Sequence, residues 1–132
     1  MAHGWDWRRV GSAVLRSLLT AVFLAAAGMK FAAVPFEVEG FARFGYPFWF
    51  MYVVGGLQLL GAMLLWTRGC VALGVALLAV LMVGAVGSHL LAGDPALMPL
   101  PALVLLTLLA GVAYVRRSEL LQPSSQAEMH RT

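Results

Sequence analysis

The chain has 132 residues, of which 61 % are hydrophobic and 11 % are charged, with a formal net charge of +3. Its mean hydropathy is +0.87. Soluble domains are about 45–50 % apolar and about 25 % charged, so this composition excludes an ordinary water-soluble domain. In a membrane protein the basic residues mark the cytoplasmic side of the bilayer, so the positive charge does not indicate nucleic acid. We expect the lipid bilayer as the main partner and no nucleic-acid partner.

Four apolar runs occupy residues 10–33, 47–66, 70–91 and 97–115. A helix that crosses a bilayer needs about 20 mostly apolar residues. The runs therefore predict an all-α fold, an integral membrane four-helix bundle. The first run exceeds the ~7–15 apolar residues of a signal peptide, which favours a permanent first helix over a cleaved leader.

Arginines cluster on one side of the predicted spans, namely Arg8, Arg9, Arg68, Arg116 and Arg117. Because basic flanking residues face the cytoplasm, we expect both termini to lie there. This organisation predicts one transmembrane domain over residues 1–117 and a polar cytoplasmic tail over residues 118–132.

Residues 34–46 separate the first two runs and contain two acids, a proline and three phenylalanines. This segment is too polar to span a bilayer and too apolar to stay in water. We expect a short helix or loop lying in the outer interface.

Small residues within the spans predict close helix packing, because lipid supplies no hydrophobic force that holds helices together. The candidates are Gly55, Gly84 and Ser88, of which the last two lie four residues apart on one helix face. The single cysteine, Cys70, excludes an internal disulfide and is interpreted as a small apolar residue. The sequence predicts no metal site.

Among the polar residues within the predicted spans, we single out Arg16, Gln58 and Thr107. Polar and ionisable groups are costly in a bilayer and are candidates for function. Arg16 is alternatively explained by a long side chain that extends to the headgroups. An interhelical hydrogen bond would explain Gln58 and Thr107 equally well.

A second polar group is predicted at the outer ends of the spans, where Lys30, Glu39, His89 and Asp94 come close to the same boundary. We expect these side chains to gather around a pocket between the first and third predicted spans. Such a cluster could handle protons or bind an anionic or quinone-type headgroup. The alternative is that Lys30 extends to headgroups and His89 is a polar anchor.

Several ordered motifs resemble those of the DoxX-like family of small four-helix bacterial membrane proteins. They are Ala27-Gly28-Met29-Lys30-Phe31, Phe44-Gly45-Tyr46-Pro47, Gly55-Gly56-Leu57-Gln58 and Ser88-His89-Leu90. The resemblance covers residues 12–117 and implies a multi-pass protein of the bacterial cytoplasmic (inner) membrane. It also implies that an acidic residue typically stands at the Gln58 position, which argues against an essential proton relay there.

The resemblance implies a membrane subunit of a quinone-linked redox complex, or an anchor for a catalytic partner. The alternative is a non-enzymatic accessory or assembly subunit that docks other membrane proteins. A small-solute carrier is a third possibility and would require a homo-oligomer to enclose a path. We expect no cofactor bound by the chain itself, although a quinone is a possible ligand. The sequence identifies no catalytic residue and leaves enzyme activity open.

Overall fold

The computed structural model describes residues 7–117, which fold into five helices and no strands. The helices are α1 (Trp7–Phe31), α2 (Pro35–Arg43), α3 (Phe48–Leu64), α4 (Val71–Leu91) and α5 (Leu100–Val115). The all-α prediction is confirmed over these residues. The predicted tail at residues 118–132 lies outside the described part of the chain.

Prolines mark the start of three helices. Pro35 is the first residue of α2, Pro47 is the residue before α3, and Pro101 lies in the first turn of α5. Proline is well placed there because the first helical N–H groups have no partner within the helix. The predicted interfacial segment is thus a short helix, α2, that starts at a proline.

The four longer helices pack in a closed ring in the order α1, α3, α4, α5, and α5 returns to contact α1. α2 crosses one end of this ring and contacts α1 and α3. The largest fully buried side chains include Phe23, Leu19, Leu65, Leu78 and Leu109. Because α1 and α4 are each neighbours of α3 and α5 in this order, they lie at opposite corners of the ring. This arrangement determines where a cavity can form.

Two of the described helices, α1 and α4, are individually long and apolar enough to cross a membrane. α2 and α3 meet these criteria as a pair, but the chain bends by 114° between them. α5 is apolar but has only 16 residues. The second and fourth spans are therefore shorter as helices than the apolar runs that predicted them. α3 ends before Trp66, and α5 begins after the proline-containing residues 95–99.

Close helix contacts occur at other glycines than Gly84. A Cβ at Gly61 would lie 2.5 Å from Leu78 Cδ2, and one at Gly74 would lie 3.0 Å from the Gly61 carbonyl oxygen. Gly55 also lies at a close contact, because a Cβ there would lie 3.2 Å from Lys30 Cβ. The close contact expected at Gly84 is corrected, because a Cβ there would meet nothing within 4 Å. Gly84 instead faces a cavity.

Candidate functional site

A cavity of about 590 Å³ lies at the end of the ring that α2 crosses. Its wall is mainly apolar and aromatic, with contributions from Phe41, Phe44, Phe50, Met82, Met98 and Leu105. α2, α3, α4 and α5 supply most of the wall, and α1 contributes Lys30. The pocket expected between the first and third spans is corrected, because those spans, α1 and α4, lie at opposite corners of the ring.

Lys30 is buried beside the cavity and is paired with a carboxylate. Its Nζ lies 3.3 Å from Glu37 Oε2, and the two side chains are only 8 % and 14 % exposed. The ammonium group also lies 5.9 Å from the centre of the Phe41 ring. Glu37 reaches Lys30 because α2 begins immediately after the turn that ends α1. A buried ammonium needs such a partner, since desolvation without one is costly.

His89 and Arg43 bind the same oxygen of Asp94. The distances to Asp94 Oδ2 are 2.7 Å from His89 Nδ1 and 2.9 Å from Arg43 Nη2. These contacts join the end of α2 to the loop that follows α4. The hydrogen bond from His89 is the main cause that lowers the pKa of Asp94, opposed by desolvation and supported by Arg43. Asp94 is thus an ionised acceptor.

A chain of hydroxyl groups runs along the cavity wall from the α2–α3 turn to α4. Tyr46 Oη lies 2.6 Å from Ser88 Oγ, and Ser88 Oγ donates to the Gly84 carbonyl oxygen at 2.8 Å. Ser88 is buried, although Gly84 is exposed toward the cavity. The predicted packing role of Ser88 is therefore a polar contact between α4 and the turn before α3.

Gln58 is 4 % exposed and lies on the cavity wall. Its Oε1 atom has no hydrogen-bond partner among the described residues. An unsatisfied buried acceptor costs about 1–3 kcal/mol. The interhelical hydrogen bond expected for Gln58 is therefore not formed by its Oε1 atom, although the residue belongs to the cavity wall.

The structure brings three members of the predicted outer cluster, Lys30, Glu39 and His89, to the wall of this cavity. The fourth, Asp94, is bonded to His89 rather than being part of the wall. The acid that pairs with Lys30 is Glu37, which sequence reasoning missed. The signal was present, since Glu37 follows Pro35 in the first turn of α2 and is close to Lys30 in the chain.

Tyr46 and Arg43 were also missed as site residues. The chain places both near the α2–α3 bend, where side chains at the end of one helix and before the next converge. No spacing in the sequence reveals that this bend folds over Ser88 and Asp94. Their contacts with α4 and its following loop appear only once the ring of helices is assembled.

The remaining polar residues of the spans lie away from the cavity. Arg16 Nη1 donates to the Leu65 carbonyl oxygen at 3.1 Å, and its guanidinium lies 4.4 Å from the Trp66 ring centre. Arg16 thus binds the end of α3 and lies against the neighbouring Trp66 ring. Thr107 is exposed and donates within its own helix to Leu103. The interhelical bond expected for Thr107 is therefore also corrected.

Within residues 7–117, no group of three or more His, Cys, Asp or Glu side chains is arranged to hold a metal ion. The polar groups at the cavity can instead form hydrogen bonds and ion pairs with an organic ligand. The concave shape and mainly apolar wall of the cavity are typical of sites for small molecules.

The sequence matches the DoxX-like family over residues 14–112. It is also 37 % identical over 83 residues to a Bacillus subtilis (strain 168) protein named Uncharacterized protein YdgD, a match that covers 58 % of this chain and 72 % of that protein. No solved structure matches the chain. The family match includes α2, α3 and α4 completely and most of α1 and α5. The chain therefore belongs to the DoxX-like family.

Proposed function

We propose that this protein is an integral membrane subunit of a quinone-linked redox complex, and that the cavity receives the ring headgroup of the quinone. The observation that carries the proposal is the cavity itself. At about 590 Å³ it falls within the ~300–1,000 Å³ typical of small-molecule sites. Its wall combines aromatic rings, which suit a flat ring, with a few polar groups, which suit ring oxygens.

Exposed apolar residues in the cavity wall support access to the cavity from the bilayer. Val80 belongs to the cavity wall, is 68 % exposed and lies near the middle of α4. Leu97, on the loop before α5, is also both exposed and part of the wall. A ligand with an apolar tail could therefore enter between lipid-facing side chains. We assign the electron transfer to a catalytic partner subunit, for which this chain is the membrane anchor.

The proposal includes four membrane crossings, by α1, α3, α4 and α5, with both termini in the cytoplasm of a bacterium. The alternating directions of successive helices in the ring support it, as does the placement of Arg68 and Arg116 at the same end. At 1.5 Å per residue α5 extends about 24 Å, against a hydrocarbon core of about 30 Å. Local thinning of the bilayer can accommodate this difference.

A second candidate function is a non-enzymatic accessory or assembly subunit. It is favoured by Gly28, Gly56 and Gly87, at which an added Cβ would meet nothing within 4 Å. Such small residues on open helix faces allow other membrane helices to approach closely. In this case the outer faces of the ring, rather than the cavity, would carry the function.

The test is purification of the full chain from bacterial membranes in mild detergent, followed by mass spectrometry of bound proteins and of extracted small molecules. We expect a quinone to copurify with the wild type and a redox subunit to be among the proteins. Gly84→Leu places a side chain in the cavity and should abolish quinone retention. Gly87→Leu is the matched control, because Gly87 lies on the same helix outside the cavity wall.

Two other results would contradict the proposal, the first its redox role and the second its ligand site. Protein partners without quinone in any variant would support the accessory subunit instead. Quinone retention that is unchanged by Gly84→Leu, in a correctly folded variant, would contradict the assignment of the cavity.

A further inference from the structure

We propose that the cavity holds a ring with an acceptor oxygen at each end, and that the Lys30 ammonium and the Gln58 side-chain amide each donate a hydrogen bond to one of these oxygens. This inference rests on the proposed function, since it assigns the polar contacts of a quinone headgroup in the same cavity. The burial of both donors in the cavity wall carries it.

Three buried polar residues belong to the cavity wall in the described part of the chain. They are Lys30, Gln58 and Ser88, which are 6 %, 4 % and 8 % exposed. Ser88 is already engaged, because its hydroxyl contacts both Tyr46 Oη and the Gly84 carbonyl oxygen. A buried donor without an acceptor is unfavourable, so a ligand oxygen would stabilise Lys30 and Gln58 rather than Ser88.

The Lys30 ammonium has more N–H groups than its partner can accept. It carries three, and the two oxygens of Glu37, at 3.3 and 3.4 Å from Nζ, engage at most two of them. Both distances exceed the ~2.7–2.9 Å of a strong charge-assisted hydrogen bond. The Phe41 ring centre lies 5.9 Å from Nζ and adds only a cation–π contact. At least one N–H group therefore remains for a ligand, while Glu37 holds the ammonium in place.

Gln58 presents its amide nitrogen deeper in the cavity. Its Oε1 atom is closed off without a partner, whereas the nitrogen is the accessible atom of the amide. Phe50 and Val54 precede Gln58 at intervals of four residues, so all three lie on one face of α3 and line the cavity. Because α3 begins at the cavity end, Gln58 is the innermost of the three.

The two donors lie at different depths along α3. A Cβ at Gly55 would lie 3.2 Å from Lys30 Cβ, so the Lys30 side chain leaves α1 at the level of Gly55. Gln58 is three residues deeper, which corresponds to about 4.5 Å along the helix. The ammonium extends in the other direction, toward Glu37 on α2. This separation suits oxygens at opposite ends of a ring and does not suit two oxygens on adjacent carbons.

The other charged groups of the wall are less suited to this role. Arg43 also retains N–H donors beyond its contact with Asp94, but its side chain is 43 % exposed. Glu39 is exposed as well. Water already solvates exposed groups, so a hydrogen bond from them to a ligand adds little net free energy. Lys30 and Gln58 are therefore the residues that position the ring.

The experiment compares two probes of nearly the same shape: an alkyl-substituted 1,4-benzoquinone, and the alkylbenzene that carries methyl groups in place of the two oxygens. Binding to the purified full chain in detergent is measured by equilibrium dialysis, with protein-free micelles as the partition blank. We expect the quinone to bind about tenfold more tightly, as two hydrogen bonds would give. Isotope-edited infrared spectra of the bound quinone should show both carbonyl stretching bands below their frequency in empty micelles, because a hydrogen bond weakens the C=O bond.

Two variants remove one donor each. Gln58→Met keeps the side-chain length, and Lys30→Met/Glu37→Leu removes the ammonium without leaving a buried unpaired carboxylate. Each should reduce the quinone preference to about threefold and return one carbonyl band, a different one in each variant, to its unbound frequency. Gln58→Leu replaces Gln58→Met if that variant is not monodisperse. Thr107→Val is the matched control, since Thr107 is exposed and bonded within its own helix, and it should change neither readout.

Equal binding of the two probes would overturn the inference and leave the cavity as a quinone site held by apolar contacts. Weaker quinone binding in the variants with both carbonyl bands unmoved would assign Lys30 and Gln58 a purely structural role, which also overturns it. If the quinone does not bind at all, the proposed function fails and the inference fails with it.

Discussion

The two ends of the helix ring differ in what their glycines do. At the packed end, where α1 begins and α3 ends, a Cβ on Gly61 or Gly74 would collide with a neighbouring helix. At the cavity end, which α2 crosses, a Cβ on Gly40 or Gly84 would meet nothing within 4 Å. The same residue type thus brings helices together at Gly61 and Gly74 and leaves space at Gly40 and Gly84.

The polar residues differ between the ends in the same way. At the packed end Arg16 donates to a helix-terminal carbonyl oxygen, and the Trp66 indole donates to Thr20 at 2.7 Å. These contacts join α1 to the end of α3. At the cavity end charged groups pair with one another, as Lys30 does with Glu37, around a space lined by aromatic rings. One end is therefore suited to holding the helices together and the other to binding a ligand.

The largest effect is expected at the buried ion pair of the cavity end. Lys30→Met would leave Glu37 without its partner in a site where both side chains are largely buried. Removal of one member of a buried pair typically costs about 3–5 kcal/mol. We expect a loss of unfolding free energy in this range, measured by reversible denaturant titration in detergent micelles.

The double variant Lys30→Met/Glu37→Leu tests the cause of that loss. Removing both charges takes away the unpaired carboxylate, so most of the lost stability should return. A double variant as unstable as Lys30→Met would contradict the pairing and would assign the loss to the packing of Lys30 against Gly55.

Alanine substitutions of two glycines on α4 should have opposite signs. At Gly74 an added methyl group would lie 3.0 Å from both the Gly61 carbonyl oxygen and Leu64 Cβ, so Gly74→Ala should destabilise by about 1–3 kcal/mol. At Gly84 the methyl group has open space, and the better helix propensity of alanine should stabilise by up to about 1 kcal/mol. Thermal unfolding of both variants in the same detergent provides the comparison. Equal losses would show that Gly84 is a packing residue.

The sequence predicts the helical class well because long apolar runs directly encode the helices, as Val71–Leu91 shows. It also predicts which polar residues come to one end of the ring, since Lys30 and His89 lie close to helix ends. It does not predict whether a glycine faces a neighbouring helix or a cavity, and for this reason the sequence suggests a packing role for Gly84. It also does not reveal the 114° bend between α2 and α3, which brings Tyr46 and Arg43 to α4 and its following loop.

A smaller, pH-dependent effect is expected at Asp94, which joins α2 to the loop after α4. The hydrogen bond from His89 lowers the pKa of Asp94 below its ordinary value of 3.8. The unfolded chain therefore binds this proton more readily than the folded protein does. The stabilisation is fully present above that ordinary value and is lost as the pH falls through the lower folded value.

Asp94→Asn tests this dependence. The difference in melting temperature between wild type and variant should be constant at neutral pH and should shrink as the pH falls below about 4. A difference that is independent of pH down to pH 2 would show that the Asp94 charge contributes nothing to stability.

The smallest effect is expected in the backbone of the cavity end, at the turn between α1 and α2. Ala33 has φ of 51°, and the hydrogen bonds around it, from Ala33 N–H to Lys30 O and from Val34 N–H to Met29 O, form the turn that usually ends a helix in glycine. The corresponding positions after α2 and α4 are Gly45 and Gly93, with φ of 84° and 72°. A left-handed conformation costs an L-residue about 1–2 kcal/mol, whereas glycine loses about 0.5–1 kcal/mol of additional backbone entropy.

Ala33→Gly should therefore stabilise by about 0.5–1 kcal/mol, and Gly93→Ala should destabilise by a similar amount. Denaturant titration of both variants is the measurement, and a loss of stability in Ala33→Gly would show that the Ala33 methyl group contributes more than its strained backbone costs.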